Sequence, residues 1–332
     1  MPIAILQITL VAFISFIFIK LLIKYPISLA TPSKRGMHCN VMPSSGGIAI
    51  LGTYICITLY PYLIHAHSLN INSPIIGLTL IALLGYLDDK FKLSKAFRFF
   101  SQAIISILVI VNSHQLNILE IIIWACFFIF LVNIYNFMDG IDGLATSQAI
   151  FVLTSFIILD NFYSFGVLIL FIIPLLIFLF YNIKPSKVFL GNAGSYMLGM
   201  LIIILLFNST YASDNIYILN HIAVALILLT IFIADSLYVL LARFIYKYKS
   251  SNNILLSLLH ITTPHNTHCY QILAKKYNNH NKVNLLLMLY NILWCLPLSI
   301  LCQTYIEYSI VFLLFSYIPY LFYCYNNNIG KE

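Results

Sequence analysis

The chain has 332 residues, of which 61% are hydrophobic and only 8% charged, with a formal net charge of +7. Its mean hydropathy is +0.96. That excludes a water-soluble globular protein, in which about 45–50% of residues are apolar and about a quarter charged. Apolar runs of about 17–25 residues recur along the chain, each long enough to cross a hydrocarbon core roughly 30 Å thick as a helix. The runs are continuous rather than alternating, which argues against a membrane barrel and for an all-α polytopic membrane protein.

In chain order, eleven transmembrane helices are predicted at about 3–23, 47–66, 72–88, 98–113, 117–136, 144–160, 163–182, 190–208, 217–241, 284–302 and 305–325. No basic residue precedes the first run, and Lys20 and Lys24 follow it. This is the charge pattern of a retained first helix with its N-terminus outside, not of a cleaved signal. Segments 24–46, 89–97, 137–143, 183–189, 242–283 and the C-terminal tail then face inward. All 17 Lys and Arg lie in these segments or in the helix ends that open onto them, and the opposite loops, near 67–71, 114–116, 161–162, 209–216 and 303–304, hold none. The positive-inside rule therefore predicts a periplasmic N-terminus and a cytoplasmic C-terminus. The expectation is a single integral-membrane domain over 1–332, with a long cytoplasmic His-containing loop at about 242–283. Seven scattered cysteines without a CxxC pair read as apolar filler.

The polar motifs gather on the predicted cytoplasmic side. Pro32–His38 and Pro43–Gly47 form a basic, Gly-containing stretch that suits an anion, or simply a turn before the second span. Asp88 and Asp89 end the third span and are followed by Lys90, Lys92, Lys95 and Arg98. Adjacent carboxylates at a membrane helix end are costly unless solvated, paired or bound to metal. They read either as interfacial acids with topogenic lysines or as a phosphate site with an acid at its centre. Asn133, Asn136, Asp139 and Asp142 then recur at spacings of three, with Gly140 and Gly143. A second Lys/Gly-rich loop, Asn182–Ser195, contains Lys187, Phe189 and Asn192. Asp235 sits inside the ninth span and should face the bundle, in a structural hydrogen bond or a functional role. His260, His265, His268 and His280 lie in the long loop, where zinc is not favoured because no Cys or acidic partner completes a site. Carboxylates, carboxamides and loop cations together suit a hard ion such as Mg²⁺, held partly through substrate phosphates. The residues alone thus point to a membrane enzyme acting on a phosphate or diphosphate from the cytosol, with a secondary transporter as the rival class. Polar groups at one face and the lack of an internal repeat weigh against a transporter.

Three runs carry a resemblance. Asp88-Asp89 with Leu93-Ser94 and Gln102, N-x-x-N-x-x-D-G-x-D-G-L-A at 133–145, and K-x-F-x-G-x-x-G-S-x-x-L-G at 187–199 together resemble the polyprenyl-phosphate N-acetylhexosamine-1-phosphate transferases (glycosyltransferase family 4). The resemblance extends from about Pro32 to Gln271. The run His265-Asn-Thr-His268-Cys-Tyr270-Gln271 is similar to the version found in O-antigen-initiating members. The resemblance implies transfer of HexNAc-1-phosphate from a UDP-N-acetylhexosamine to undecaprenyl phosphate in a bacterial inner membrane, with the active site on the cytoplasmic face. The implied role is initiation of O-antigen or a related surface polysaccharide. It also implies Mg²⁺, with Mn²⁺ as a substitute, membrane lipid as a partner, a homodimer as an assembly to test, and no nucleic acid. By family position, Asp88 would orient or deprotonate the lipid phosphate and Asp89 would support metal or phosphate binding. Asn136 and Asn192 would be metal ligands, and Asp139 and Asp142 would hold the nucleoside side. Phe189 would stack on uracil, Arg98 would bind phosphate, Lys187 and His265 would bind substrate, and His268, catalytic with Asp88 and Asp89, would contact the diphosphate.

Three positions depart from the pattern. Asn192 stands where relatives carry Asp, Ser44 where many carry Arg, and Asn266 where the O-antigen type carries Arg. Asn192 removes a negative charge from the expected metal site and motivates the alternative of a catalytically impaired member acting as a binding subunit.

Overall fold

The computed structural model describes residues 2–30, 41–64, 72–159, 165–212, 218–261, 263 and 265–331; the Pro32–His38 motif lies outside them. The chain forms two compact units that divide after Ile218.

The first unit runs α1 (Pro2–Lys24), a two-residue antiparallel pairing of β1 (Leu29–Ala30) with β2 (Met42–Pro43), α2 (Gly46–Ile64), α3 (Asn72–Phe91), α4 (Lys95–Ser113), α5 (Ile118–Met138), α6 (Leu144–Ile158), α7 (Phe165–Asn182) and α8 (Gly191–Ala212). Its axis is α8. Of its window Gly191–Tyr211, 94% is buried, against 22–39% in the other five single helices of membrane-crossing length. A helix that is apolar all round is one that neighbours surround, and α2, α3, α5 and α6 all pack on α8. The α3–α8 approach depends on Gly85, where a Cβ would overlap the backbone of Asn192. The outer helices show the reverse pattern. Phe99, Phe100, Ile104, Leu108 and Val111 of α4, with Ile118, Leu119, Ile122 and Ile123 of α5, are exposed. In water this would be an intolerable apolar surface, whereas acyl chains match it. Polar caps mark the ends: the Ser94 hydroxyl accepts from Phe97 N at 3.2 Å, and Asn117 and Glu120 form a reciprocal capping box.

The second unit runs α9 (Ile218–Leu228), α10 (Thr230–Ser251), α11 (Ile254–Ile261), α12 (Cys269–Tyr277), α13 (His280–Tyr290), a π-helical turn at Asn291–Cys295, α14 (Leu296–Thr304), a 3₁₀ turn at Ile306–Tyr308 and α15 (Ser309–Asn326). Two sequence expectations need correction here. The ninth span is not one straight helix, because α9 and α10 meet at a 76° bend. Nothing from 217 to 241 is Gly or Pro, so no breaker announced it. At the bend the Thr230 hydroxyl turns back to the Ile227 carbonyl at 2.7 Å and also meets the Ser316 hydroxyl at 2.9 Å. Such back-bonding bends helices. Nor is 242–283 one long loop. α10 continues to Ser251, and α11 and α12 fill most of the rest. Lys247 and Lys249 end the hydropathy but not the helix, since lysine is a good helix former.

Each predicted span overlaps helix among the described residues, while 65–66, 160, 163–164 and 217 lie outside them. By length and composition, six helices among the described residues could cross a membrane: 5–24, 95–113, 118–138, 191–211, 280–304 and 306–326. The bent pair makes seven if it is one span, and Leu144–Ile158 and Gly166–Asn182 are apolar but shorter. The protein is an all-α, multi-pass membrane protein.

Candidate active site

The N-terminus of α8 gathers the polar residues of the first unit. Gly191 opens it at φ +73°, and a Cβ there would collide with the Ser44 carbonyl oxygen, so only glycine fits. The preceding strand-like stretch is clamped: Phe189 N donates to Pro43 O at 2.7 Å, and Gly46 N and Gly47 N donate to Phe189 O and Leu190 O, each at 3.0 Å. This fixes the start of α8 beside the start of α2, and the last turn of α3 is held to it through Asp89. There the Asp89 Oδ2 accepts from Asn192 N at 2.9 Å, and the Ala193 amide also acts on this carboxylate. An acid satisfying the first amides of a helix is favourable by hydrogen bond and dipole together.

Asp88 is 5% exposed, and three donors converge on its Oδ2: Arg98 Nη1 at 3.0 Å, Asn192 Nδ2 at 3.1 Å and the Tyr196 hydroxyl at 3.0 Å. Among the described residues, Oδ1 receives none. Three elements therefore hold one carboxylate, α3 carrying it, α4 supplying Arg98 and α8 the other two, and its second oxygen is left available.

Asn192 links this carboxylate to α5. Its Oδ1 accepts from Asn136 Nδ2 at 2.7 Å, and the same Asn136 amide reaches the Ser195 hydroxyl at 3.2 Å. The amide orientations follow from Asp88: a carboxylate demands a donor, so Nδ2 of Asn192 faces it and Oδ1 faces Asn136. Asn133, one turn earlier on α5, points elsewhere, to Gln102 Oε1 at 2.7 Å.

Asp139 caps the end of α5, and Asp142 lies in the tight turn into α6, which passes through Gly143 at φ +81°. Asn182 ties this turn to the 182–191 loop: its Oδ1 accepts from Gly143 N at 3.0 Å and its Nδ2 donates to Val188 O at 2.9 Å. Loss of water around Asp139, then the like charges of Asp89 and Asp142, hold its pKa well above the usual carboxylate range. Lys187 is exposed and Phe189 half-buried on the same loop.

The structure thus brings together Asp88, Asp89, Arg98, Asn136 and Asn192 by direct contact, with Asp139 electrostatically coupled to both Asp89 and Asp142. His265 and His268 belong to the second unit. There their rings stack at 4.9 Å, the His265 Nδ1 lies 3.1 Å from the Thr267 hydroxyl, and the His268 Nδ1 lies 3.0 Å from Asp235 Oδ1. Sequence reasoning missed Tyr196 and the bridging role of Asn182. Tyr196 stands four residues after Asn192, one helical turn on, a spacing that would have placed both on one face.

The donor set fits a hard divalent cation. It is all oxygen, and the Asp139 carboxylate is buried beside the like charges of Asp89 and Asp142, an arrangement that a bound cation would relieve. Among the described residues, no three His, Cys, Asp or Glu side chains form a metal site on their own. Asn136 Nδ2 donates to Asn192 Oδ1, which takes one lone pair of that oxygen and leaves the second for a cation.

Comparison with known proteins agrees with this arrangement. The model of glycosyl transferase family 4 matches residues 71–210, which contain every site residue of the first unit. The chain is similar to a probable undecaprenyl-phosphate N-acetylglucosaminyl 1-phosphate transferase of Bacillus subtilis, at 26% identity over 65% of this chain and 64% of that protein. It is 29% identical to the phospho-N-acetylmuramoyl-pentapeptide-transferase of Dictyoglomus thermophilum, over 78% of this chain and 88% of that one. An undecaprenyl-phosphate alpha-N-acetylglucosaminyl 1-phosphate transferase of Thermotoga maritima is also 29% identical, over 52% of this chain and 53% of its own length. The match thus spans just under two thirds of the first relative and about half of the third. With the motif residues converging at one helix end inside the matched region, the chain is similar over residues 71–210 to glycosyl transferase family 4, and its relatives include undecaprenyl-phosphate N-acetylglucosaminyl 1-phosphate transferases.

Proposed function

We propose that the protein transfers HexNAc-1-phosphate from a UDP-N-acetylhexosamine to undecaprenyl phosphate. An oxygen of the lipid phosphate bonds to the β-phosphorus of the sugar nucleotide, the bond from that phosphorus to the bridging oxygen breaks, and UMP leaves with the electron pair. The observation that carries this reading is the half-bonded Asp88: Oδ2 is held by three donors, and Oδ1 faces no donor among the described residues. A carboxylate locked through one oxygen offers the other at a fixed position, to orient the lipid phosphate or take its proton. Arg98 keeps Asp88 in place and contributes positive charge beside the incoming phosphate. Asp139 and Asp142 hold the nucleoside side, with Phe189 against the uracil and Lys187 near the diphosphate. His265 and His268 contact phosphate oxygens. Asp89, Asp139 and the amide oxygens of Asn136 and Asn192 would hold Mg²⁺ or Mn²⁺, which when bound offsets the charge of the two reacting phosphates.

The setting that fits is a bacterial cytoplasmic membrane, crossed by the eleven predicted spans with the basic face inside. The pathway role is initiation of an O-antigen or related surface polysaccharide, which the His265–Gln271 pattern favours. A binding subunit without turnover is the second reading, motivated by Asn192. Purified protein is incubated with Mg²⁺, undecaprenyl phosphate and radiolabelled UDP-HexNAc donors. Labelled lipid is expected with at least one donor, and Asp88→Asn should lower turnover about 10³-fold or more, as loss of a reacting group does, while still inserting. Wild-type turnover in that variant removes Asp88 from the reaction. Donor binding without lipid product for any donor supports the binding subunit instead.

A further inference from the structure

In the second unit a carboxylate that the proposed reaction does not use lies wholly out of water. Asp235 is 0% exposed in the apolar α10. An unpaired charge buried there would cost several kcal/mol, so its partners define it. Oδ1 meets His268 Nδ1 at 3.0 Å and accepts from Cys269 N at 3.1 Å. Oδ2 accepts from Tyr270 N at 3.2 Å and from the Tyr320 hydroxyl at 3.0 Å.

Two consequences follow. The Cys269 and Tyr270 amides open α12, where first-turn N–H groups are otherwise available to an anion. Asp235 occupies them, so this helix end is closed to a phosphate and the His268 ring is the group left to meet one. Second, Oδ1 only accepts, so the facing Nδ1 carries the proton. The His268 side chain also takes part in a capping box with Gln271 at the start of α12, and with Nδ1 on Asp235 the other ring nitrogen, Nε2, is the one that can meet a ligand. The stacked His265 and Tyr270 rings, at 4.9 and 5.6 Å, hold the imidazole plane from its faces.

We propose that Asp235 is a positioning residue for His268: it fixes the ring's orientation and holds a proton on Nδ1, so that Nε2, on taking a second proton that the Asp235 carboxylate stabilises, donates to a phosphate oxygen of the substrate. The link to catalysis rests on the reading of His268 as a diphosphate contact; the hold on the ring does not. The competing role is a plain pin between α10, α12 and α15, for which the two amides and Tyr320 suffice and the ring proton is irrelevant.

The test uses the full-length protein in detergent, with ¹⁵N-labelled histidine and the His268→Ala spectrum to assign the ring. In the wild type, His268 is expected to carry a proton on Nδ1, and on both ring nitrogens once the sugar nucleotide is bound; a ring protonated on Nε2 alone overturns the proposal, whatever the variants do. In the lipid-transfer assay with UDP-GlcNAc or whichever donor is used best, Asp235→Asn should lower kcat about 10–100-fold, the usual loss for a residue orienting an imidazole, with KM for the donor nearly unchanged. In the His268→Ala background the same substitution should change kcat by less than about twofold, because a residue acting through the ring has nothing left to orient. Equal losses in both backgrounds mark the pin and overturn the proposal. Full turnover by His268→Ala alone sinks the role of His268 in the reaction, and the ring spectrum still decides what Asp235 does to it.

Discussion

Asn192 shows how one amide sets a site. A carboxylate at this position would supply the missing charge, which from sequence predicts a lower Mg²⁺ requirement for Asn192→Asp. The structure adds that Nδ2 donates to Asp88 at 3.1 Å. The variant would put two carboxylates in contact where a donor now stands, losing a hydrogen bond to charge worth about 1.5–3 kcal/mol. In EDTA, Asn192→Asp should therefore melt at a lower temperature than the wild type, and Mg²⁺ should raise its melting temperature more; equal melting in EDTA would show that the amide donor is unimportant. Asp139 offers the opposite case. Its pKa is raised by burial and by Asp89 and Asp142, so the folded state holds its proton more tightly than the unfolded chain does. The sign is then a loss of stability as pH rises from the ordinary carboxylate range through the raised value. At pH 8 without divalent cations, Asp139→Asn should melt higher than wild type by roughly 2–4 °C, the shift about 1 kcal/mol brings to a chain of moderate size, yet turn over poorly. A melt unchanged or lowered at pH 8 would show that Asp139 is not destabilising. The acids were visible in the sequence as costly residues in an apolar chain. The donors of Asp88 were not, because Arg98, Asn192 and Tyr196 lie 10, 104 and 108 residues away.

At the scale of elements, α8 organises the first unit because apolar residues on every face let four helices pack on it. Its N-terminus is then the point where α2, α3 and the 182–191 loop meet, and small residues make the approach close. Gly85→Ala would force α3 away from the Asn192 backbone, at about 1–3 kcal/mol of overpacking. Since Asp88 and Asp89 lie on the same turn of α3 as each other and bond to Asn192, the shift should cost activity before it costs folding. The expected result is a monodisperse protein on size-exclusion chromatography with kcat reduced at least tenfold, the loss typical of about 1.4 kcal/mol at the transition state; unaltered kcat would show that the α3–α8 spacing is not critical. Apolar runs with polar caps were enough to place these helices. The bend between α9 and α10 was not legible, because Thr230 bends the chain only with the Ile227 carbonyl and Ser316 in reach. The helical continuation to Ser251 was hidden for a simpler reason: hydropathy reports where lipid ends, not where the helix does.

For the whole molecule, the charge distribution makes a claim about orientation. An impermeant maleimide applied to intact spheroplasts is expected to label Gln115→Cys, in a loop without basic residues, and to label Lys92→Cys only after the cells are opened. The reverse pattern would invert the proposed topology and place the Asp88 site outside. The sequence by itself determined the class of protein, the apolar spans and the family resemblance, because these depend on composition, run length and motif spacing, all local along the chain. Tertiary structure alone decided which oxygen of Asp88 is held, that Asn192 serves as a donor to it, and that Asp235 closes the start of α12 and grips His268. Each of these is a hydrogen bond between residues distant in sequence, and a buried polar group's partner is chosen by whatever the packing of helices brings within about 3 Å.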